Sequence, residues 1–294
     1  MAVLGQGGNP SNEDRGPLAI VCGGGSLPLA VADMVAERGR RVVLFPLRGW
    51  ADPVAVARYP HHWIGLAEIV RLQRLLRRED CRELMFIGAV QRPSPRQLRP
   101  DLGTLRLLPR IVRLFWGGDN NLLTGIGRLF EERGFRLVGA HEVAPEILMP
   151  EGSLGRRQPG AGDYQDIVYG LEFLRATGAF DLGQAAVISR RHILAVEAAE
   201  GTDGMLARVA ELRASGHIRS RGGVLVKAPK AGQDGRIDLP TIGTHTVELT
   251  ARARLSGIAV VAGSTIVAEA DAVGREADRA NIFAIGVRDG ANGE

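Results

Sequence analysis

The residues best suited to chemistry in this chain lie between Lys227 and Thr244: Lys227-Ala-Pro-Lys230-Ala-Gly-Gln233-Asp234-Gly-Arg236-Ile-Asp238-Leu-Pro240-Thr241-Ile-Gly243-Thr244. Two lysines and an arginine can neutralise phosphoryl oxygens, and Asp234 and Asp238 can hold a divalent cation or orient a water. A charge run is by default a solvated loop. This one follows an apolar strand, carries both signs and is stiffened by Pro229 and Pro240, which favours a functional loop. Lys227, Lys230, Arg236 and Asp238 are therefore the candidate catalytic groups, and Gln233 and Thr241 the candidate substrate contacts beside them.

Glu197-Ala-Ala-Glu200-Gly-Thr-Asp203 follows another strand and leads into a helix. Carboxylates at such a junction either bind Mg²⁺ or complement the helix dipole, and capping by Thr202 or Asp203 is the commoner explanation for any one of them. With Asp238, the acids Glu200 and Asp203 form the candidate ligand set for a hard metal.

Gly23-Gly24-Gly25-Ser26-Leu27-Pro28 stands where a strand hands over to a helix, a place that can aim backbone N–H groups at a phosphate. The dinucleotide fingerprint needs a glycine where Pro28 stands, and no P-loop lysine follows, so NAD and ATP readings weaken. The alternative is a tight turn with Ser26 as N-cap. Arg92 follows a strand end, where α/β sheets place ligands. His141, in Gly139-Ala-His-Glu-Val143, lacks the His-Glu-x-x-His spacing of a zincin and reads as a substrate contact or a satisfied structural histidine. From Arg92 to Trp116, arginines at 92, 96, 99, 106, 110 and 113 interleave with bulky apolar residues. Packing against a sheet explains most of this stretch, and contact with an anionic bilayer or an acyl chain is the functional alternative. There is no Gly-x-Ser-x-Gly elbow, no Cys-x-x-Cys, and no metallophosphoesterase signature.

These loops need strands and helices to hold them. Strands at 17–22, 41–45, 84–87 and 135–138 alternate with helical stretches at 27–38, 66–78, 104–116 and 120–133, which is βαβ grammar. A Gly/Pro-rich segment, 150–162, reads as a linker. Beyond it come a helix at 164–177, strands at 185–188 and 193–196, a helix after Thr202, a strand at 223–226, a helix after Thr246, a strand at 258–261 and a last helix and strand. The expectation is the α/β class: two α/β domains, the first (16–149) Rossmann-like with a parallel sheet, the second (163–290) catalytic, with 1–15 a disordered lead-in.

At 294 residues the chain has the length of about two domains. Its 45% hydrophobic and 24% charged residues exclude fibrous and disordered classes. No apolar run approaches the ~20 residues of a transmembrane helix, the N-terminus lacks a signal-peptide pattern, and two cysteines give no disulfide framework, so a reducing cytoplasm is expected. The net charge of +4 suits nucleic acid, an anionic membrane or a phosphorylated substrate equally.

Taken together, Gly23–Pro28, Gly139–Val143, Glu197–Leu206 and the Lys227–Lys230 to Asp238–Gly243 block resemble the LpxI family of UDP-2,3-diacylglucosamine pyrophosphatases, over about Pro17 to Gly286. The resemblance implies hydrolysis of UDP-2,3-diacylglucosamine to UMP and 2,3-diacylglucosamine 1-phosphate (lipid X) in lipid A biosynthesis, with Mg²⁺ or another divalent cation. It also implies substrate held between two α/β domains, a homodimer, no nucleic-acid partner, and an essential aspartate at Asp238. On this basis Gly23, Gly24, Gly25, Ser26, Arg92 and His141 are expected to bind substrate, and the protein to sit in the cytoplasm, peripherally on the inner membrane. Two rivals stay open. An epimerase should carry Tyr-x-x-x-Lys, which none of Tyr59, Tyr164 and Tyr169 begins; a regulator could use the same charges for binding alone.

Overall fold

The computed structural model describes residues 15–90, 101–105, 119–180, 182–230 and 233–289. Arg92, most of the arginine-rich stretch and the 1–14 lead-in lie outside the described residues. Two compact units divide between Ala144 and Pro145.

In the first unit, β1 (Leu18–Cys22), β2 (Val42–Pro46), β3 (Glu83–Ile87) and β4 (Arg136–Leu137) form a parallel sheet in the order β2-β1-β3-β4. β1 and β2 are buried along their whole length, so they read as continuous apolar runs rather than alternating ones. The order reverses between β1 and β3, and that reversal opens a crevice at the strands' carboxyl ends. Helix α1 (Leu27–Glu37) follows β1 and carries proline in its first turn, where no N–H is missed. Further helices are α2 (Pro53–Val56), α3 (Ile69–Arg78), α4 (Leu102–Leu105), α5 (Asp119–Glu131) and α6 (Ala140–Val143). Asp101 fixes α4 beside α3, its carboxylate accepting from the amides of Thr104 at 2.7 Å and Arg71 at 2.9 Å.

The second unit holds a mixed six-stranded sheet. It comprises β5 (Gly152–Ser153), β6 (Ala185–Ser189), β7 (His192–Val196), β8 (Val224–Lys227), β10 (Gly257–Val261) and β12 (Phe283–Val287), ordered β5-β12-β10-β8-β6-β7. β8, β10 and β12 are parallel; β5, β6 and β7 pair antiparallel. A separate parallel pair joins β9 (Thr241–Ile242) to β11 (Ile266–Val267). Helix α7 (Ala161–Thr177) covers one face, packing Ile167, Leu171 and Leu174 on Ala186, Ile188, Val224, Val226 and Phe283. The opposite face buries Ala185, Val187, Leu225, Ile258 and Ala284 under α8 (Gly201–Ala214), α9 (Thr244–Arg252) and α10 (Ala270–Ala280). Neighbouring residues of one strand thus enter opposite cores, as period-two geometry requires. Gly170 allows α7 to approach closely: a Cβ there would stand 2.7 Å from the Val226 side chain.

The expected linker is corrected. Within residues 150–162, Gly152–Ser153 pairs with Ile285 and Gly286 at the sheet edge, the Leu154 amide donates to the Ala284 carbonyl, and Arg156 N donates to Asp278. Gly and Pro density here marks close backbone approach along an edge strand, not freedom.

Candidate active site

The second unit gathers its polar side chains where β8 ends. Lys227 is the last residue of that strand and is buried, because antiparallel pairing sets it opposite Ala185 and parallel pairing opposite Val260. Its Nζ donates to the Thr241 carbonyl at 3.0 Å. Burial pulls the ammonium below its usual lysine pKa, while the charges of Glu197, Asp203 and Asp238 pull it back up. The Lys227 ammonium is thus held out of water on a backbone carbonyl, within the field of three acids.

Asp238 reaches this place from the loop after β8. A turn positions it, with the Ile237 and Asp238 amides donating to the Asp234 carbonyl. Burial raises its carboxyl above the ordinary range, opposed by the Gln233 and Gln184 amides and the Lys230 charge. The Gln184 Nε2 donates to Asp238 Oδ2 at 3.3 Å. Gln233 Nε2 is buried without an acceptor in bonding geometry, so it acts on Asp238 as a nearby dipole rather than through a formed bond. The Gln233 Oε1 accepts from the Lys230 amide at 2.9 Å and shapes the turn.

Several expectations change. Arg236 and Asp234 hold each other in a two-pronged pair at 2.9 and 2.7 Å, so neither charge enters the loop uncompensated. Glu200 is turned away from Asp238: its carboxylate pairs with Arg208 at 2.7 Å on an exposed turn. That bond and its own backbone hold it below the usual carboxylate pKa. Asp203 lies at 3.6 Å from His245. The set Asp238, Glu200 and Asp203 is therefore not assembled, and among the described residues no three His, Cys, Asp or Glu side chains come together as metal ligands. What remains, one covered carboxylate beside a second acid, suits a Mg²⁺ that keeps waters and shares phosphate oxygens with a substrate. It does not suit a protein cage. The exposed Thr241 side chain donates to the Leu239 carbonyl, and its own carbonyl serves Lys227.

Two groups outside the candidate set complete the cluster. Glu197, at the end of β7, accepts from the Gln184 amide at 2.8 Å and from the Thr202 hydroxyl at 3.0 Å, so Thr202 serves Glu197 rather than capping α8. Gln184 precedes β6 and links Glu197 to Asp238. The signal for Gln184 was its position: pairing β6 with β8 antiparallel brings the start of β6 to the end of β8.

In the first unit, the glycine loop after β1 meets the loop after β3. Gly23 N donates to Ile87 O at 2.9 Å, while Gly24 and Ala89 exchange amide bonds at 2.8 and 2.9 Å. A Cβ on Gly23 would lie 2.6 Å from the Ala89 carbonyl, and one on Gly88 2.8 Å from the Pro28 ring. The Gly23 and Gly24 amides are thus spent within the protein. Gly25, at φ +91°, and Ser26 stay exposed, and the Ser26 side chain caps nothing. His141 sits in α6 half-buried, its Nδ1 without a partner among the described residues, so the satisfied structural histidine is not what is found.

Lys227, Asp238, Gln184 and Glu197, gathered where β6, β7 and β8 meet, make this part of the second unit the candidate active site of an α/β protein. The LpxI N-terminal domain profile matches residues 17–147 and the LpxI C-terminal domain profile residues 150–285. The chain is 41% identical over 272 residues to the UDP-2,3-diacylglucosamine pyrophosphatase LpxI of Caulobacter vibrioides, covering 92% of this chain and 97% of that protein. This chain belongs to the LpxI family.

Proposed function

We propose that this protein hydrolyses the diphosphate bridge of UDP-2,3-diacylglucosamine, giving UMP and 2,3-diacylglucosamine 1-phosphate. Family membership and the relative's activity support the substrate. The observation that carries the chemistry is Lys227, buried at the end of β8 with its Nζ on the Thr241 carbonyl and under the charges of Glu197, Asp203 and Asp238.

Hydrolysis adds one water across P–O–P: an oxygen–phosphorus bond forms, the bridging bond breaks and a proton is released. Asp238, with its raised pKa, receives that proton from the attacking water. Lys227, with Lys230 nearby, balances the negative charge growing on the phosphoryl oxygens, an interaction strengthened by exclusion of water. Gln184 holds the Asp238 carboxylate in place. Gly25 and Ser26, both exposed, and His141 are proposed as phosphate- or sugar-binding groups of the first unit. A divalent cation would be held by Asp238 together with the diphosphate and would supply further charge neutralisation.

The test is direct. Purified protein given UDP-2,3-diacylglucosamine should release equal amounts of UMP and the sugar 1-phosphate by mass spectrometry, and chelator should stop release until Mg²⁺ is restored. UDP as product, or no turnover with Mg²⁺ present, would overturn the reading. Among the described residues no helix is long and apolar enough to cross a membrane. For a diacylated substrate we propose peripheral contact with the cytoplasmic face of the inner membrane, and a homodimer as the working form. Flotation with anionic liposomes and sedimentation equilibrium check the two.

A further inference from the structure

At the far end of β6 from Gln184, the second unit holds a concave pocket of about 400 Å³. It lies away from Lys227: β6 pairs Ala185 with Lys227 at one end and Ile188 with Val224 at the other. Arg190, Arg191 and Arg221 line it. All three are exposed, and none is paired with an acid among the described residues; Arg191 only stacks over the Tyr169 ring.

The two acids of the pocket are already engaged with backbone. The buried Asp166 carboxylate accepts from the Arg190 and Arg191 amides at 3.0 and 2.6 Å, and Asp163 accepts from the Gly160 amide. Ser189, only 4% exposed, lines the same pocket with a hydroxyl that donates to no group among the described residues.

The hairpin between β6 and β7 sharpens the point. Arg190 and Arg191 are its two turn residues, at φ 54° and 60°. A two-residue turn of that kind favours Asn-Gly, since the left-handed region is costly for a long side chain. Asp166 holds both amides in this conformation, so the strained turn is over-determined, and its result is two guanidinium groups at one pocket mouth.

We propose that Arg190, Arg191 and Arg221, with Ser189, form a second anion site for a phosphate monoester, carried either by a small metabolite or by a lipid headgroup. Arginine forks match phosphate oxygens in pairs, and a pocket of this volume admits a small phosphorylated molecule. The inference stands apart from the proposed hydrolysis.

The experiment titrates the full-length protein with inorganic phosphate, following the arginine Nε–Hε NMR signals, and in a second arm floats it with vesicles of phosphatidylcholine with and without phosphatidic acid. The comparison variant is Arg190→Asn, Arg191→Gly and Arg221→Gln combined, which gives the turn its preferred residues and so should melt no lower than wild type. Saturable phosphate binding that weakens about tenfold or more in this variant supports a free phosphorylated ligand. Loss of phosphatidic-acid-dependent flotation in the variant alone supports the headgroup. Asp238→Asn should change neither result. If variant and wild type behave alike in both arms, or wild type binds in neither, the proposal is overturned.

Discussion

At the carboxyl end of the first sheet, the loop after β1 is filled by backbone: Gly23 donates to Ile87, Gly24 and Ala89 satisfy one another, and no side chain fits at Gly23. Where β8 of the second sheet ends, Lys227 places an ammonium inside the protein, within the field of Glu197, Asp203 and Asp238. Both places occupy the same position in an α/β fold, where ligands gather. The first supplies shape and small exposed groups, Gly25 and Ser26; the second supplies buried charge that can differ between ground and transition state. Only the second has the means to accelerate a phosphoryl reaction, and substitutions in the two should therefore fail in different ways.

Lys227→Met sharpens this contrast most. It keeps the bulk of the side chain and removes the buried cation at the end of β8, so kcat/KM should fall by about 10²–10³ while the protein still folds. A loss under twofold would show that Lys227 is structural. Gly23→Ala should do the reverse. Its Cβ meets main chain at 2.6–2.8 Å, so the first unit should lose about 1–3 kcal/mol, read as a lowered Tm, with the hydrolytic step of the remaining folded protein little changed.

Gln184→Leu is expected to cost about tenfold in kcat, the usual scale for losing a group that orients a reactive one. It also has a pH signature. The Gln184 amide pulls the Asp238 pKa down, so removing it should move the acid limb of the rate profile further upward from the ordinary carboxylate range. An unmoved limb would place Gln184 outside the relay. Glu200→Gln should have the smallest effect, within about twofold, because that carboxylate is engaged by Arg208 on an exposed turn where ion pairs contribute little.

Much of the fold was legible, because strands buried on both faces appear as unbroken apolar runs such as Leu18–Cys22 and Gly257–Val261. The 150–162 segment was misread because an edge strand of two residues offers no periodicity, and the close approach of Pro150 and Leu154 to Gly286 and Gly274 appears only in three dimensions. In the site, Lys227 and Asp238 stood out as charges after an apolar strand. Glu200 misled because spacing along a helix start does not say which way a carboxylate points, and Arg208, two turns on, claims it. Gln184 was missed because its role depends on the antiparallel pairing of β6 with β8, which brings it beside a loop more than fifty residues away in the chain. Arg236 and Asp234, two residues apart and opposite in sign, pair with each other, which their order in the chain does not reveal.

The central claim is that the Asp238 carboxylate, covered and raised in pKa, takes the proton of the attacking water. Asp238→Asn tests it most directly when turnover and melting are measured on one sample. Because the fold favours the protonated carboxyl, the stability Asp238 contributes is fully present below the ordinary carboxylate pKa and is lost as pH rises through the raised value; asparagine carries no such loss. The variant should therefore melt no lower than wild type at pH 7 while hydrolysis of UDP-2,3-diacylglucosamine falls by about 10³-fold. Wild-type turnover in a folded Asp238→Asn protein would contradict the account.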